Sequence, residues 1–149
     1  MKKIFAILML VMLIFAIGCG NKEQDASKGT QNKVEQTSKD SVSVSIDEIN
    51  NFASVCVDSF ITLSNRITDI EKSGKYGDMS KTEVDKFVNK GRKKLDDLSN
   101  RVANRIQELK EKAKSGNVSK SDMDKFIAET RDNIDSLSLE IAKVEREIE

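Results

Sequence analysis

Two thiols, Cys19 and Cys56, are the side chains of this sequence whose chemistry repays following, because little else offers any. The chain of 149 residues has no histidine, and it carries no HExxH or CxxC metal pattern, no GxSxG elbow and no phosphate-binding glycine-rich loop. Asp96 and Asp97 adjoin, but neighbours on a helix point about 100° apart and would not share a substrate. The reading is of a protein that is not an enzyme and uses neither metal nor cofactor. The two cysteines differ in setting. Cys56 falls within a periodic apolar pattern and reads as a small buried hydrophobe, as free cysteine commonly is. An intermolecular disulfide in an oxidising compartment is the other reading, and it requires Cys56 to be exposed. Cys19 ends an unbroken apolar run.

That run spans Ile4 to Ile17, follows the positive pair Lys2 and Lys3, and closes in "AIGC". About 14 apolar residues are too few to cross a hydrocarbon core that needs about 20, so the segment reads as a sorting signal rather than a span. "AIGC" resembles the lipobox of bacterial lipoproteins. By that resemblance Gly18 is the small residue before the cut, Ala16 and Ile17 complete the cleavage site, and Cys19 is the acylated residue; Ala16 stands where the family most often has Leu. The resemblance covers only the N-terminus. It implies removal of residues 1–18, a mature chain beginning at Cys19, and a lipid anchor in the bacterial cell envelope outside the cytoplasm. Gly20 after the cysteine resembles outer-membrane sorting where the cell has an outer membrane; otherwise the anchor is in the cell membrane. Each buried CH₂ contributes about 0.8 kcal/mol, and two or more acyl chains hold a protein stably.

Beyond Cys19 comes "GNKEQDASKGTQNKVEQTSKDSVS", residues 20–43, with almost nothing to bury. Such a segment cannot offset its ordering entropy, so residues 19–44 are expected to be a lipidated cysteine on a disordered tether. A flexible coil of that length would reach roughly 25–30 Å from the lipid.

Residues 45–149 are expected to form a helical domain. "SIDEINNF", "SKTEVDKF" and "SKSDMDKF" begin at Ser45, Ser80 and Ser119, spacings of 35 and 39. Each serine is followed three residues later by an acid: Glu48, Glu83 and Asp122. That is a capping box, in which both side chains satisfy orphan donors of the first turn. Val44, Met79 and Val118 precede the serines, and Ile49, Val84 and Met123 sit four after, the two halves of a hydrophobic staple. "KSG" recurs with Gly74 and Gly116 placed for the left-handed residue after a helix. The caps predict helices over about 46–72, 81–114 and 120–148, three related helical units.

Heptad-like steps of three and four continue each unit. The first runs Ile46, Ile49, Ala53, Cys56, Phe60, Leu63, Ile67, Ile70. The third runs Met123, Ile127, Thr130, Ile134, Leu137, Ile141, Val144, Ile148. The second runs from Val84 to Val102, then slips by four residues to Ile106, Leu109 and Ala113, a device that locally unwinds a supercoil. Phe52, Phe87 and Phe126 correspond and are expected in the core. Short connections make successive helices antiparallel. The fold class is therefore all-α, an up-down-up three-helix bundle with coiled-coil-like seams. The same seams would also allow an open hairpin array that dimerises or trimerises.

Formal net charge is zero, which offers no global field to nucleic acid. Charge is instead sorted by helix. The second carries eleven Lys or Arg against six acids, whereas the flanking helices are acidic. Its densest run, "KGRKK", places Lys90, Arg92, Lys93 and Lys94 together. That run reads as a solvated face or as a contact for an anionic surface. Tyr76, the sole tyrosine, sits in the longer loop and reads either as a partner anchor or as a cover for the bundle end. Two function classes follow. One is a lipid-anchored, non-catalytic protein acting by contact with an unidentified partner, monomeric or weakly self-associating. The other is a structural envelope spacer that oligomerises through its seams. Small lipoproteins joining outer membrane to peptidoglycan resemble the second, but they usually end in Lys, and this chain ends "VEREIE".

Overall fold

Each helix begins where a serine can cap it. In the computed structural model, which describes residues 43–149, the helices are α1 (Ile46–Ser73), α2 (Lys81–Lys114) and α3 (Lys120–Ile148). Ser45 and Ser80 accept the amide N–H of Glu48 and Glu83 on Oγ at 3.2 and 3.3 Å. The glutamates return the favour, accepting the serine N–H at 2.9 and 2.8 Å. Helix α3 differs. Ser119 Oγ accepts the Asp122 N–H at 3.1 Å and, as in the other two caps, donates to the carboxylate, at 2.8 Å, but the aspartate does not reach back to the backbone. Aspartate is one methylene shorter than glutamate, so only half of the box closes.

The C-terminal ends follow from glycine. Gly74 and Gly116 have φ of 64° and 69°. After α2, Gly116 N–H donates to the Ala113 carbonyl and Asn117 N–H to that of Lys112, both at 3.0 Å, which together form a Schellman motif.

Two apolar clusters fill the bundle, and their membership fixes the topology. One joins Ile49, Phe52 and Cys56 of early α1 to Leu98, Val102, Ile106 and Leu109 of late α2 and to Met123 and Phe126 of early α3. The other joins Leu63, Ile67 and Ile70 of late α1 to Val84, Val88 and Leu95 of early α2 and to Leu137, Ile141 and Val144 of late α3. Only an up-down-up arrangement brings these sets together. Phe60 and Ile134 pack against both and make the core continuous. The architecture is an all-α three-helix bundle, and the described residues form no strand.

Most of the periodic residues are buried; Phe60, Ala113, Ile127 and Ile134 are half-buried at the edge of the core, and two other positions depart from expectation. Ile46 heads the α1 pattern but is 38% exposed. It precedes the first turn that faces the core, and Val44, hydrogen-bonded from its N–H to the Val118 carbonyl at 3.0 Å, is buried instead. Phe52 and Phe126 are buried and meet edge to face at 5.4 Å, whereas Phe87 is only half-buried. α1 and α3 start at the same end and their phenylalanines pair; α2 starts at the other end, where Phe87 has no aromatic partner among the described residues. The four-residue slip keeps Ile106 and Leu109 buried, so it turns the α2 stripe back toward the core.

One ion pair joins each pair of helices. Arg66 of α1 binds Glu145 of α3 bidentately at 2.9 and 2.5 Å and donates to Ser138 Oγ at 2.8 Å. Arg92 of α2 binds Glu71 of α1 at 2.8 and 2.5 Å. Lys94 of α2 holds both oxygens of Glu140 of α3 at 2.5 and 2.7 Å. These pairs are partly exposed, so their main effect is on register rather than on stability. Hydrogen bonds from Arg92 and Arg66 hold the carboxyls of Glu71 and Glu145 below the usual carboxylate range. A group depressed in the folded state stabilises above its unfolded value, about 4.3, and the contribution disappears as pH falls through the lower folded value. Urea midpoints should accordingly be flat from pH 8 to about 5 and fall below about pH 4. Glu71→Gln/Glu145→Gln should flatten that acid limb, and an unchanged limb would refute the assignment.

Candidate functional site

The residues singled out in the sequence separate into three groups. Ala16, Ile17, Gly18 and Cys19 lie outside the described residues, as does nearly all of the tether. Ser45, Glu48, Ser80, Glu83, Ser119 and Asp122 are spent on helix ends. The remaining candidates are Cys56, Tyr76 and the basic run of α2.

Cys56 is 2% exposed, and burial pushes its thiol up to about 11, with the positive charge of Arg131 pulling weakly the other way. A thiol held neutral and out of solvent is a poor nucleophile, and a disulfide between chains would require it to leave the core. Gly91 and Thr130, which stand eleven residues after Ser80 and Ser119 as Cys56 does after Ser45, are buried as well.

Tyr76 is half-buried and packs against the cluster at its end of the bundle. Its carbonyl accepts the Met79 N–H at 2.7 Å, and the same loop donates the Asp78 N–H to the Glu147 carbonyl at 3.1 Å. The loop is thus seated on the C-terminal end of α3, and the ring covers core.

The basic run divides by direction. Arg92 and Lys94 lie on the two flanks of α2 and are committed to Glu71 and Glu140. Lys90 and Lys93 are exposed and make no ion pair among the described residues. Two outward cations remain, a smaller positive feature than "KGRKK" suggests.

The feature that pattern reading passes over is a groove of about 620 Å³ between α2 and α3. Leu98 and Leu137, both buried in the core, border it, and the ion-paired Lys94 and Glu140 line it as well. Asp97, Asn100, Arg101 and Asn104 line it from α2, with Asn133 and Ser136 opposite on α3. Asn133 donates its amide to the Glu129 carbonyl at 2.6 Å, which leaves its oxygen to accept. The other five make no hydrogen bond or ion pair among the described residues. Asp97 faces this groove while Asp96 lies near enough to Arg92 to raise its pKa, so the adjacent aspartates serve different surfaces. A sequence signal existed in the run "DDLSNRVANR". Its short polar residues fall where a long solvated helix face usually carries Lys and Glu.

Among the described residues no group of three or more Cys, Asp or Glu side chains is arranged to hold a metal ion, and no helix is long and apolar enough to cross a membrane. Set against family models, curated proteins and solved structures, the chain matches none.

Proposed function

We propose that this is a lipid-anchored protein of the bacterial cell envelope that acts by contact rather than by catalysis. The observation that carries the reading is "AIGC" placed directly after a positively flanked apolar run too short to span a bilayer. The polar stretch that follows fits a spacer holding a small domain off a membrane surface. A contact role also suits a bundle whose one thiol is buried. The spacer reading asks the helical seams to recruit other chains, yet within one chain these seams are buried against each other, which favours the contact role. In a bacterial host fed a labelled fatty acid, the wild-type chain should take up label and Cys19→Ser should take up none. Equal labelling of both, or none in either, removes the anchor.

A further inference from the structure

We infer that residues 43 and 44 are a latch, through which tension on the N-terminal chain opens the bundle where α1 and α3 begin. The latch is a device of the fold itself. That a lipid supplies the tension rests on the anchor reading above.

The latch joins two segments far apart in the chain. Ser43 and Ser119 pair as an isolated antiparallel bridge, and the Val44 N–H donates to the Val118 carbonyl at 3.0 Å. The chain therefore enters the fold beside the cap of α3, and only afterwards turns at Ser45 into α1. Val44 and Val118 are also the leading halves of two hydrophobic staples, whose second halves are Ile49 and Met123. The two staples merge. All four residues are buried, and they belong to one cluster with Leu109 near the end of α2. The middle unit is built differently: Met79 is only half-buried, and its neighbour Asp78 is hydrogen-bonded to the end of α3.

Position decides the load path. The chain enters at one end of an up-down-up bundle, and α3 finishes at the other. A pull on the N-terminal chain, against a contact made elsewhere on the domain, meets Ser43 and Val44 before any helix. What resists there is one bridge and one buried valine, whereas α1 beyond it is held along its whole apolar stripe. The latch is the weaker element in series, so it opens first. Lifting Val44 uncovers Val118 and Met123 and parts the starts of α1 and α3. The second cluster, at the far end, stays closed, which makes the opening local rather than global.

The test holds the full-length chain at constant load between a handle on the Cys19 thiol and one at the C-terminus; Cys56, being buried, takes none. The wild type should yield in two steps, a short reversible opening and then unfolding. Val44→Ala and Val118→Ala should each speed the first step at least tenfold, and the double variant should do little more than either alone. Val84→Ala removes the same atoms from the opposite end of the core and should change the first step less than twofold. Opening in a single step, a first step that responds equally to all three substitutions, or one that ignores Val118→Ala overturns the proposal. The load is applied through a thiol handle and needs no acyl chain. Failure of Cys19 to take up label would thus defeat the anchor and leave the latch standing.

Discussion

Gly77→Ala should unfold this domain about 10–20 °C below the wild type, the largest single-residue effect expected outside the core. Gly77 has φ of 48°, a region in which an L residue costs about 1–2 kcal/mol. A second cost is specific to this fold. A Cβ at this position would overlap the Glu147 carbonyl oxygen and stand 2.8 Å from the Ile148 Cα. Both are backbone atoms of the last turn of α3, so no side-chain rotation relieves the contact. The loop must lift, giving up the Asp78–Glu147 hydrogen bond and the packing of Tyr76 and Met79. The combined loss is about 2–4 kcal/mol. Gly74→Ala separates the two contributions. Its φ is 64° but nothing lies within 4 Å of the added atom, so it should show only the conformational cost. Equal melting temperatures for the two variants would show that the close approach to α3 carries no energy.

Ile67→Ala should cost about 3–4 kcal/mol in urea unfolding at unchanged m-value. Ile67 is fully buried at the centre of the second cluster, and part of its wall is Gly91, which has no side chain to move into the space. A cavity that its surroundings cannot close is the expensive kind. Ile46→Ala removes the same atoms from a position on the same periodic stripe and should cost no more than about 1 kcal/mol, because Ile46 is 38% exposed and its loss leaves no closed cavity. The tight partner of Gly91 is itself Ile67, whose Cδ1 would be 3.3 Å from an added Cβ. Ile67→Val removes that methyl, so Gly91→Ala should be more favourable in the Ile67→Val background than in the wild type. A cost for Ile67→Ala under about 1 kcal/mol would mean that the core relaxes around the loss and that the close fit at Gly91 does not matter.

Much of this architecture is local and therefore legible in the chain. A capping serine, its glutamate three residues on and a staple residue on either side act within one turn, so their meaning needs no distant neighbour. Periodicity in steps of three and four likewise marks the buried stripe of each helix from that helix alone, and short connections then force the antiparallel path. The proposed address is linear too, because a signal is recognised as a sequence.

What the sequence could not assign depends on which elements meet. Three matched phenylalanines look equivalent along the chain, but the up-down-up path puts the starts of α1 and α3 together and that of α2 opposite, so two pair and Phe87 does not. "KGRKK" looks like one basic patch, but helical rotation sends Arg92 and Lys94 to opposite neighbours and leaves two lysines facing out. Asn104 and Asn133 are far apart in sequence and unremarkable in each helix; only the packing of α2 beside α3 makes them line one groove. Caps and stripes are properties of a single helix and are set by its own residues, whereas pairs and grooves are properties of two surfaces and exist only once the chain has brought them together.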